Sequence, residues 1–142
     1  MMLEIKKAGT KDIELVQELA FATWPAAYGN IISPKQLKYM LDLIYSKEAL
    51  TNQIENLHHK FIIVNENDMA VSFASYSPKN AGDQTIYRLH KLYVLPNQQG
   101  KGIGKLLLNY IINEIKALLL LNHPNIIKLY GYFYENDTLN LI

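Results

Sequence analysis

The chain has 142 residues, 49% of them hydrophobic, and carries 14 basic against 13 acidic side chains, which predicts one soluble domain over residues 1–142. The absence of cysteine excludes disulfides, thiolate nucleophiles and cysteine-bound zinc, and makes a reducing, cytoplasmic location the default expectation. A net charge of +1 offers no broad basic surface for nucleic acid or an anionic membrane, and we expect neither a signal peptide nor a membrane span.

The chain begins with a pattern typical of a strand followed by a helix. Leu3 and Ile5 alternate with polar residues, which predicts a short strand that ends before Gly9. Thr10 is expected to cap the first helix, in which apolar side chains keep helical spacing. Pro25 should end or kink that helix because proline lacks the backbone N–H that a helix interior needs.

Two further helices are indicated by their capping residues. The run Ser33-Pro34-Lys35-Gln36 combines a cap, a proline at the first helical position and the glutamine of a capping box. A second helix should therefore begin there. Ser46 can cap a third helical stretch that continues to Leu57.

The middle of the chain predicts an antiparallel meander of three strands. Phe61–Val64 has the composition of a buried strand, and Asn65–Asp68 has turn chemistry. Met69–Ser77 is expected to form the second strand of a hairpin. Pro78–Asp83 reads as a polar loop, and Thr85–Val94 as a third, long strand.

A period of 3.6 residues begins at Gly100 and predicts a long amphipathic helix to about Leu118. His123 belongs to a turn that interrupts it. Residues 126–134 and 139–142 then predict two strands. This element order belongs to an α+β or mixed-sheet domain.

The glycine-rich segment between the third strand and the long helix is the part that indicates chemistry. Gly100, Gly102 and Gly104 let several backbone N–H groups converge at a helix start, which favours a phosphate cradle. A dinucleotide fingerprint would need glycine at Lys105, and a P-loop would need Ser or Thr at Leu106, so both motifs fail. A glycine-rich turn that only caps a core helix is the remaining alternative.

This segment resembles the signature of the GNAT superfamily of N-acetyltransferases, Gln/Arg-x-x-Gly-x-Gly/Ala. Gln99-Gly100-Lys101-Gly102-Ile103-Gly104 matches each fixed position, and Leu92-Tyr93-Val94-x-Pro96 matches the strand that precedes it. The resemblance runs from Met1 to about Lys116. Its first helices are similar to those of bacterial spermine/spermidine acetylating proteins. Ser72 departs from the pattern, which often has glycine there.

The resemblance implies an acyl-CoA N-acyltransferase fold, with a mixed, mostly antiparallel sheet flanked by helices and a short C-terminal part. It also implies direct transfer of acetyl from acetyl-CoA to a primary amine, such as a polyamine, another small amine or a peptide amine, without a metal. The pyrophosphate would lie on the loop, and the acetyl carbonyl would accept a hydrogen bond near Val94. The implied cofactor-binding residues are Leu92, Tyr93, Val94, Gln99, Gly100, Lys101, Gly102, Ile103, Gly104 and Lys105.

The attacking amine must lose a proton, and the resemblance suggests His90 as the base because relatives often have glutamate there. An unperturbed histidine titrates near pH ~6.5, which suits that role. The alternative is a strand residue facing solvent or making a core hydrogen bond. Trp24 and Tyr28 would wall the acceptor pocket, with Tyr39 nearby, although core packing explains each of them as well.

Residues 117–142 depart from the family pattern and look like the fourth and fifth strands of a protein kinase N-lobe. The chain has neither His-Arg-Asp nor Asp-Phe-Gly, so a kinase activity is excluded. Tyr134 is the candidate acid for the departing thiolate, from a Phe-Tyr pair that echoes the family. If residues 126–134 form the strand beside Leu92–Leu95, the two should diverge near Val94. The alternative function is a catalytically inactive domain that binds acyl-CoA or a protein.

Metal, nucleic acid and membrane are not expected as partners. His58 and His59 read as a helix end that places cations at its favourable terminus rather than as metal ligands. Many members of the family are dimers, and a shortened sheet would leave an edge that a second copy could cover, so a homodimer is a further expectation.

Overall fold

The computed structural model describes residues 2–80, 83–122, 132–135 and 138–141, and the side chains of residues 2–79 and 86–121. These residues contain four α-helices and six strands. The helices are α1 (Ile13–Tyr28), α2 (Pro34–Tyr45), α3 (Lys47–Glu55) and α4 (Ile103–Asn122), and the strands are β1 (Leu3–Ala8), β2 (Lys60–Glu66), β3 (Met69–Asn80), β4 (Asp83–Val94), β5 (Tyr132–Glu135) and β6 (Thr138–Leu141).

The strands form one sheet in the order β1-β2-β3-β4-β6-β5, and each neighbouring pair is antiparallel. Helix α4 covers one face with buried apolar side chains at helical spacing, among them Ile103, Leu107, Ile111 and Ile115. Helices α1 to α3 pack on the opposite face, where a second cluster includes Phe73. Helices therefore cover both faces of the sheet.

The capping residues of α2 and α3 act as the sequence predicts. Ser33 Oγ accepts a hydrogen bond of 3.1 Å from the Gln36 N–H, and Gln36 Oε1 accepts one of 3.3 Å from the Ser33 N–H, which completes the capping box. Ser46 Oγ caps α3 by accepting from the Ala49 N–H at 3.1 Å. Helix α3 ends at Glu55, two residues earlier than expected, and His58 then adopts a left-handed φ of +58°.

The expected start of the first helix is wrong, and Pro25 does not end the helix. Thr10 lies in a short 3-10 turn, and α1 begins after Asp12, whose carboxylate accepts from the Gly9 N–H at 2.9 Å. Pro25 lies inside α1, which continues to Tyr28. Because proline has no N–H, α1 lacks one backbone hydrogen bond at Pro25, close to its C-terminal end.

The expected polar loop at Pro78–Asp83 is instead mostly strand. β3 and β4 extend toward each other until Asn80 pairs with Asp83, and the register shifts beside Pro78. A shift in register is where a sheet accommodates proline, which cannot donate a ladder hydrogen bond.

The end of the chain also departs from the expectation. β4 pairs with β6 at Tyr87–Leu89, and β5 is outermost and pairs with β6. The described part of the predicted 126–134 strand therefore does not lie beside Leu92–Leu95. β5 and β6 form an antiparallel hairpin, and its second strand, β6, is the one that pairs with β4. Residues 126–131 and the turn predicted at His123 fall outside the described residues. None of the helices in the described part has the length and apolarity to span a membrane.

Candidate active site

A cavity of about 710 Å³ opens between the first two helices and the end of β4. It brings together the predicted residues Trp24, Tyr28, Tyr39 and His90, which are distant in sequence. Its walls are mainly aromatic and aliphatic. The described lining consists of Trp24, Tyr28, Ile32, Gln36, Tyr39, Met40, Ile44, Tyr45, His90, Lys91 and Tyr93.

The aromatic wall is fixed by hydrogen bonds between its polar tips. Trp24 Nε1 donates to the Tyr45 hydroxyl at 3.2 Å, and the hydroxyls of Tyr28 and Tyr93 share a hydrogen bond of 2.8 Å. The rings of Trp24 and Tyr28 lie 4.6 Å apart. Trp24 thus packs in the core and also lines the cavity, so packing and pocket formation are not alternatives here. Tyr93, expected near the coenzyme, directs its ring to this wall.

Lys91 lines the cavity, although no sequence pattern indicated it as a site residue. Its side chain is buried, with 7% of the residue exposed, and its Nζ donates to Gln53 Oε1 at 2.9 Å. Nζ also lies 5.6 Å and 5.3 Å from the ring centroids of Tyr45 and Phe61. Burial lowers the pKa of Lys91 to about 8. The available signal was its position two residues before Tyr93, which places both on one face of a strand.

His90 lines the cavity, but its environment contradicts the expectation of an ordinary pKa. Burial, and secondarily the charges of His59, Lys91 and Arg88, lower the pKa of His90 to about 3. His90 Nε2 shares a hydrogen bond of 2.7 Å with Ser77 Oγ. The ring is therefore neutral at physiological pH and is a weak base.

The glycine loop has the backbone geometry of an anion cradle. Gly100 and Gly102 have φ values of +82° and +80°, which favour glycine, and a Cβ at either would meet no atom within 4 Å. The Leu106 N–H bonds to the Gly102 carbonyl, so the N–H groups of the residues between them precede the helical ladder. Open space above unpaired helix N–H groups fits a pyrophosphate.

Two side chains of the glycine loop already contact other protein groups, which leaves anion binding to the backbone of the loop. Lys101 Nζ donates to Gln98 Oε1 at 2.7 Å and lies 3.8 Å from Glu66 Oε1, so its charge is already engaged. Gln99 Nε2 donates to the Val94 carbonyl at 3.2 Å and ties the loop to the end of β4. Gly104 is so close to the strand that its Cβ would lie 3.8 Å from Val94 Cγ2.

The last residues of β4 carry a backbone donor toward the loop side of the sheet. The Leu95 N–H donates to the Val71 carbonyl, and successive N–H groups of a strand face opposite sides, so the Val94 N–H faces away from β3. Among the described strands, β6 pairs with β4 only at Tyr87–Leu89, which leaves Val94 without a strand opposite. Ser72 Oγ donates to the Tyr93 carbonyl at 2.7 Å, so this departure from the family pattern is a satisfied core hydroxyl.

Tyr134 and the two histidines after α3 are the remaining predicted features. Tyr134 belongs to β5, and its side chain lies outside the described residues, so its role as an acid stays a prediction. His58 and His59 follow the end of α3, but burial lowers the pKa of His59 to about 4, so His59 is not the cation that was expected there. The described part of the chain contains no group of three potential metal ligands.

Known proteins share sequence and fold with this chain. The profile of the acetyltransferase (GNAT) family matches residues 15–131. A spermidine N(1)-acetyltransferase of Thermoplasma acidophilum is 30% identical over 112 residues, which cover 76% of this chain and 67% of the relative. The crystal structure of PaiA N-acetyltransferase from Thermoplasma acidophilum with coenzyme A superposes with a TM-score of 0.74 at 21% identity, covering 99% and 98% of the two chains. A Brucella melitensis GNAT acetyltransferase in complex with acetyl-CoA gives a TM-score of 0.58 at 15% identity, covering 99% and 87%.

Proposed function

Because the chain belongs to the acetyltransferase (GNAT) family, we propose that it transfers the acetyl group of acetyl-CoA to a primary amine. The observation that carries the proposal is the position of the aromatic cavity and the glycine loop. His90, Lys91 and Tyr93 of β4 line the cavity, and the loop contacts the end of the same strand at Val94. A donor on the loop and an acceptor in the cavity would therefore meet at the end of β4.

The donor site is proposed on the backbone of the glycine loop. The pyrophosphate of acetyl-CoA would accept hydrogen bonds from the N–H groups between Gly102 and Leu106, where the helix dipole adds positive potential. The acetyl carbonyl would accept from the Val94 N–H, a contact that strengthens as negative charge develops on oxygen. Coenzyme A in the Thermoplasma structure and acetyl-CoA in the Brucella structure support this choice of donor.

The acceptor site is proposed in the cavity beside Trp24 and Tyr28. The amine, in its neutral form, attacks the acetyl carbon. An N–C bond forms and the C–S bond of the thioester breaks. The departing thiolate takes a proton from an acid, for which Tyr134 is the candidate, and the amine nitrogen releases its proton to water. His90 lines the cavity as a neutral ring and would be a poor general base, since a group of pKa about 3 holds a proton weakly.

The name of the 30% identical relative makes polyamines the first acceptors to test. The assay measures free coenzyme A thiol released from acetyl-CoA with polyamines, amino acids, small amines and peptides. Release that depends on an amine supports the proposal. Binding of acetyl-CoA without amine-dependent release would instead favour the inactive acyl-CoA-binding alternative. A homodimer and a cytoplasmic location stay predictions, and either β1 or β5 supplies an edge strand for self-association.

A further inference from the structure

Lys91 lines the acceptor cavity, and its buried ammonium group has no acidic partner among the described residues. No described carboxylate lies within ion-pair distance of its Nζ, although ion pairs occur elsewhere, for example between Lys38 and Asp42. The single hydrogen bond found for Nζ goes to the amide of Gln53, and the ammonium group has three protons. The other two protons of this buried cation have no hydrogen-bond acceptor among the described residues.

Burying an ammonium group is costly unless it is paired and hydrogen-bonded. The rings of Tyr45 and Phe61 offset part of this cost through cation–π contacts, but the pKa of Lys91 is still lowered to about 8 by burial. An anion placed in the cavity would restore the missing charge partner. It would gain more there than at the surface because the site is shielded from water.

The rest of the cavity lining also lacks a negative charge. It contains no aspartate or glutamate among the described residues, and the neutral ring of His90 adds no negative charge. An acceptor with several ammonium groups would meet a cation and no carboxylate in this wall. Apolar parts of an acceptor would instead contact Trp24 and Met40.

We propose that the acceptor is an amine that also carries a carboxylate, and that Lys91 binds this carboxylate while the amine lies near the end of β4. The inference rests on the proposed function and specifies its acceptor class. Lys91 then acts as a specificity-determining residue, because it holds a part of the acceptor that does not react.

The position of Lys91 sets the separation of the two groups. It precedes Val94 by three residues, a distance of about 10 Å along an extended strand. This spacing favours an acceptor whose amine and carboxylate are several bonds apart, as in an ω-amino acid or a short peptide. A matched series tests this directly: 5-aminopentanoate, 1,5-diaminopentane and pentylamine differ mainly in a carboxylate, an ammonium or a methyl group at the far end.

The experiment measures acetylation of the three amines as kcat/KM at pH 7, and their binding by calorimetry, in the full-length protein. In the wild type, 5-aminopentanoate should exceed the other two by about tenfold or more, the effect of a charge-assisted hydrogen bond of about 1.5 kcal/mol. Lys91→Met removes the charge with little change of volume and should erase this preference. Lys38→Met is the control, because that lysine is exposed on α2 and outside the cavity lining, and it should retain the preference.

The outcomes separate this inference from the proposed function. Acetylation that favours 1,5-diaminopentane or pentylamine overturns the carboxylate inference and leaves acetyl transfer intact. A preference for 5-aminopentanoate that survives in a folded Lys91→Met variant overturns the assignment to Lys91. If no amine is acetylated, the proposed function fails, and calorimetry still decides whether the cavity prefers the carboxylate. The wild-type series decides the acceptor class even if Lys91→Met does not fold.

Discussion

The imidazole rings of His59 and His90 stack with their centroids 4.0 Å apart and their planes 8° from parallel. Burial is the main reason that the pKa of His59 falls to about 4 and that of His90 to about 3, and the charge of Lys91 contributes to both shifts. The folded protein therefore binds fewer protons than the unfolded chain between pH ~6.5 and these lower values. The stack is fully stabilising only above that range.

We predict that the free energy of unfolding falls by about 1–2 kcal/mol per ring between pH 7 and pH 5 because protonation is resisted in the folded state. Urea denaturation at the two pH values measures the loss. His90→Gln should lose less than the wild type. The control is His58→Asn, which alters an exposed neighbour and tolerates the left-handed backbone, and it should lose as much as the wild type. An equal loss in His90→Gln would refute the contribution of the stack.

Removing the buried charge of Lys91 is predicted to stabilise the folded protein at neutral pH. Because the folded pKa of about 8 lies below the ordinary value of 10.5, the protonated side chain costs stability at pH 7. Lys91→Met should raise the free energy of unfolding by about 1–2 kcal/mol at pH 7, because the loss of the hydrogen bond to Gln53 offsets part of the gain. The gain should shrink as the pH rises from 8 toward 10.5, where the wild-type lysine folds in its neutral form. Chemical denaturation at pH 7 and pH 10 checks both statements, and a destabilised variant at pH 7 would contradict them.

The glycine loop predicts a loss of donor binding without a loss of fold. A side chain at Gly102 would project into the open space of the cradle, and its φ of +80° would cost about 1–2 kcal/mol in a residue other than glycine. Gly102→Val should abolish coenzyme A binding in calorimetry while circular dichroism stays unchanged. Gly9→Val is the control for an added side chain without backbone strain, since Gly9 lies outside the glycine loop, has open space and has an extended φ of −131°. Lys101→Ala should weaken binding less than Gly102→Val does. Normal binding by a folded Gly102→Val variant would remove the cradle.

The environment of His90 predicts a modest effect on catalysis. With a pKa of about 3, His90 gives no inflection near pH ~6.5 in the profile of kcat/KM, and His90→Gln should lower the rate at pH 7 by about tenfold or less. Rates from pH 5 to pH 9 for both proteins provide the test. A fall of about 100-fold, together with loss of an inflection near pH ~6.5, would instead establish His90 as the general base.

Local chemistry explains which parts of the fold could be predicted. The capping box at Ser33 and the helical period after Gly100 are encoded within a few residues, and both appear in the structure. The extension of β3 through Pro78 and the pairing of β6 with β4 depend on distant partners, which a local pattern does not contain.

The same distinction holds within the candidate site. The glycine loop is contiguous in sequence, so its geometry could be predicted from the positions of its glycines. The cation of Lys91 becomes significant only where α3 brings Gln53 to it, and the pKa of His90 depends first on its burial and then on the charges of His59 and other neighbours. These environments are assembled by packing, and the residue types alone do not reveal them.

The most direct test of acetyl transfer is mass spectrometry of the acceptor after incubation with acetyl-CoA labelled with deuterium in the acetyl group. The account predicts a labelled N-acetyl product whose amount equals the coenzyme A thiol released, formed by the wild type and lost in Gly102→Val. Thiol release without a labelled amine product, or an equal yield from the Gly102→Val variant, would contradict it.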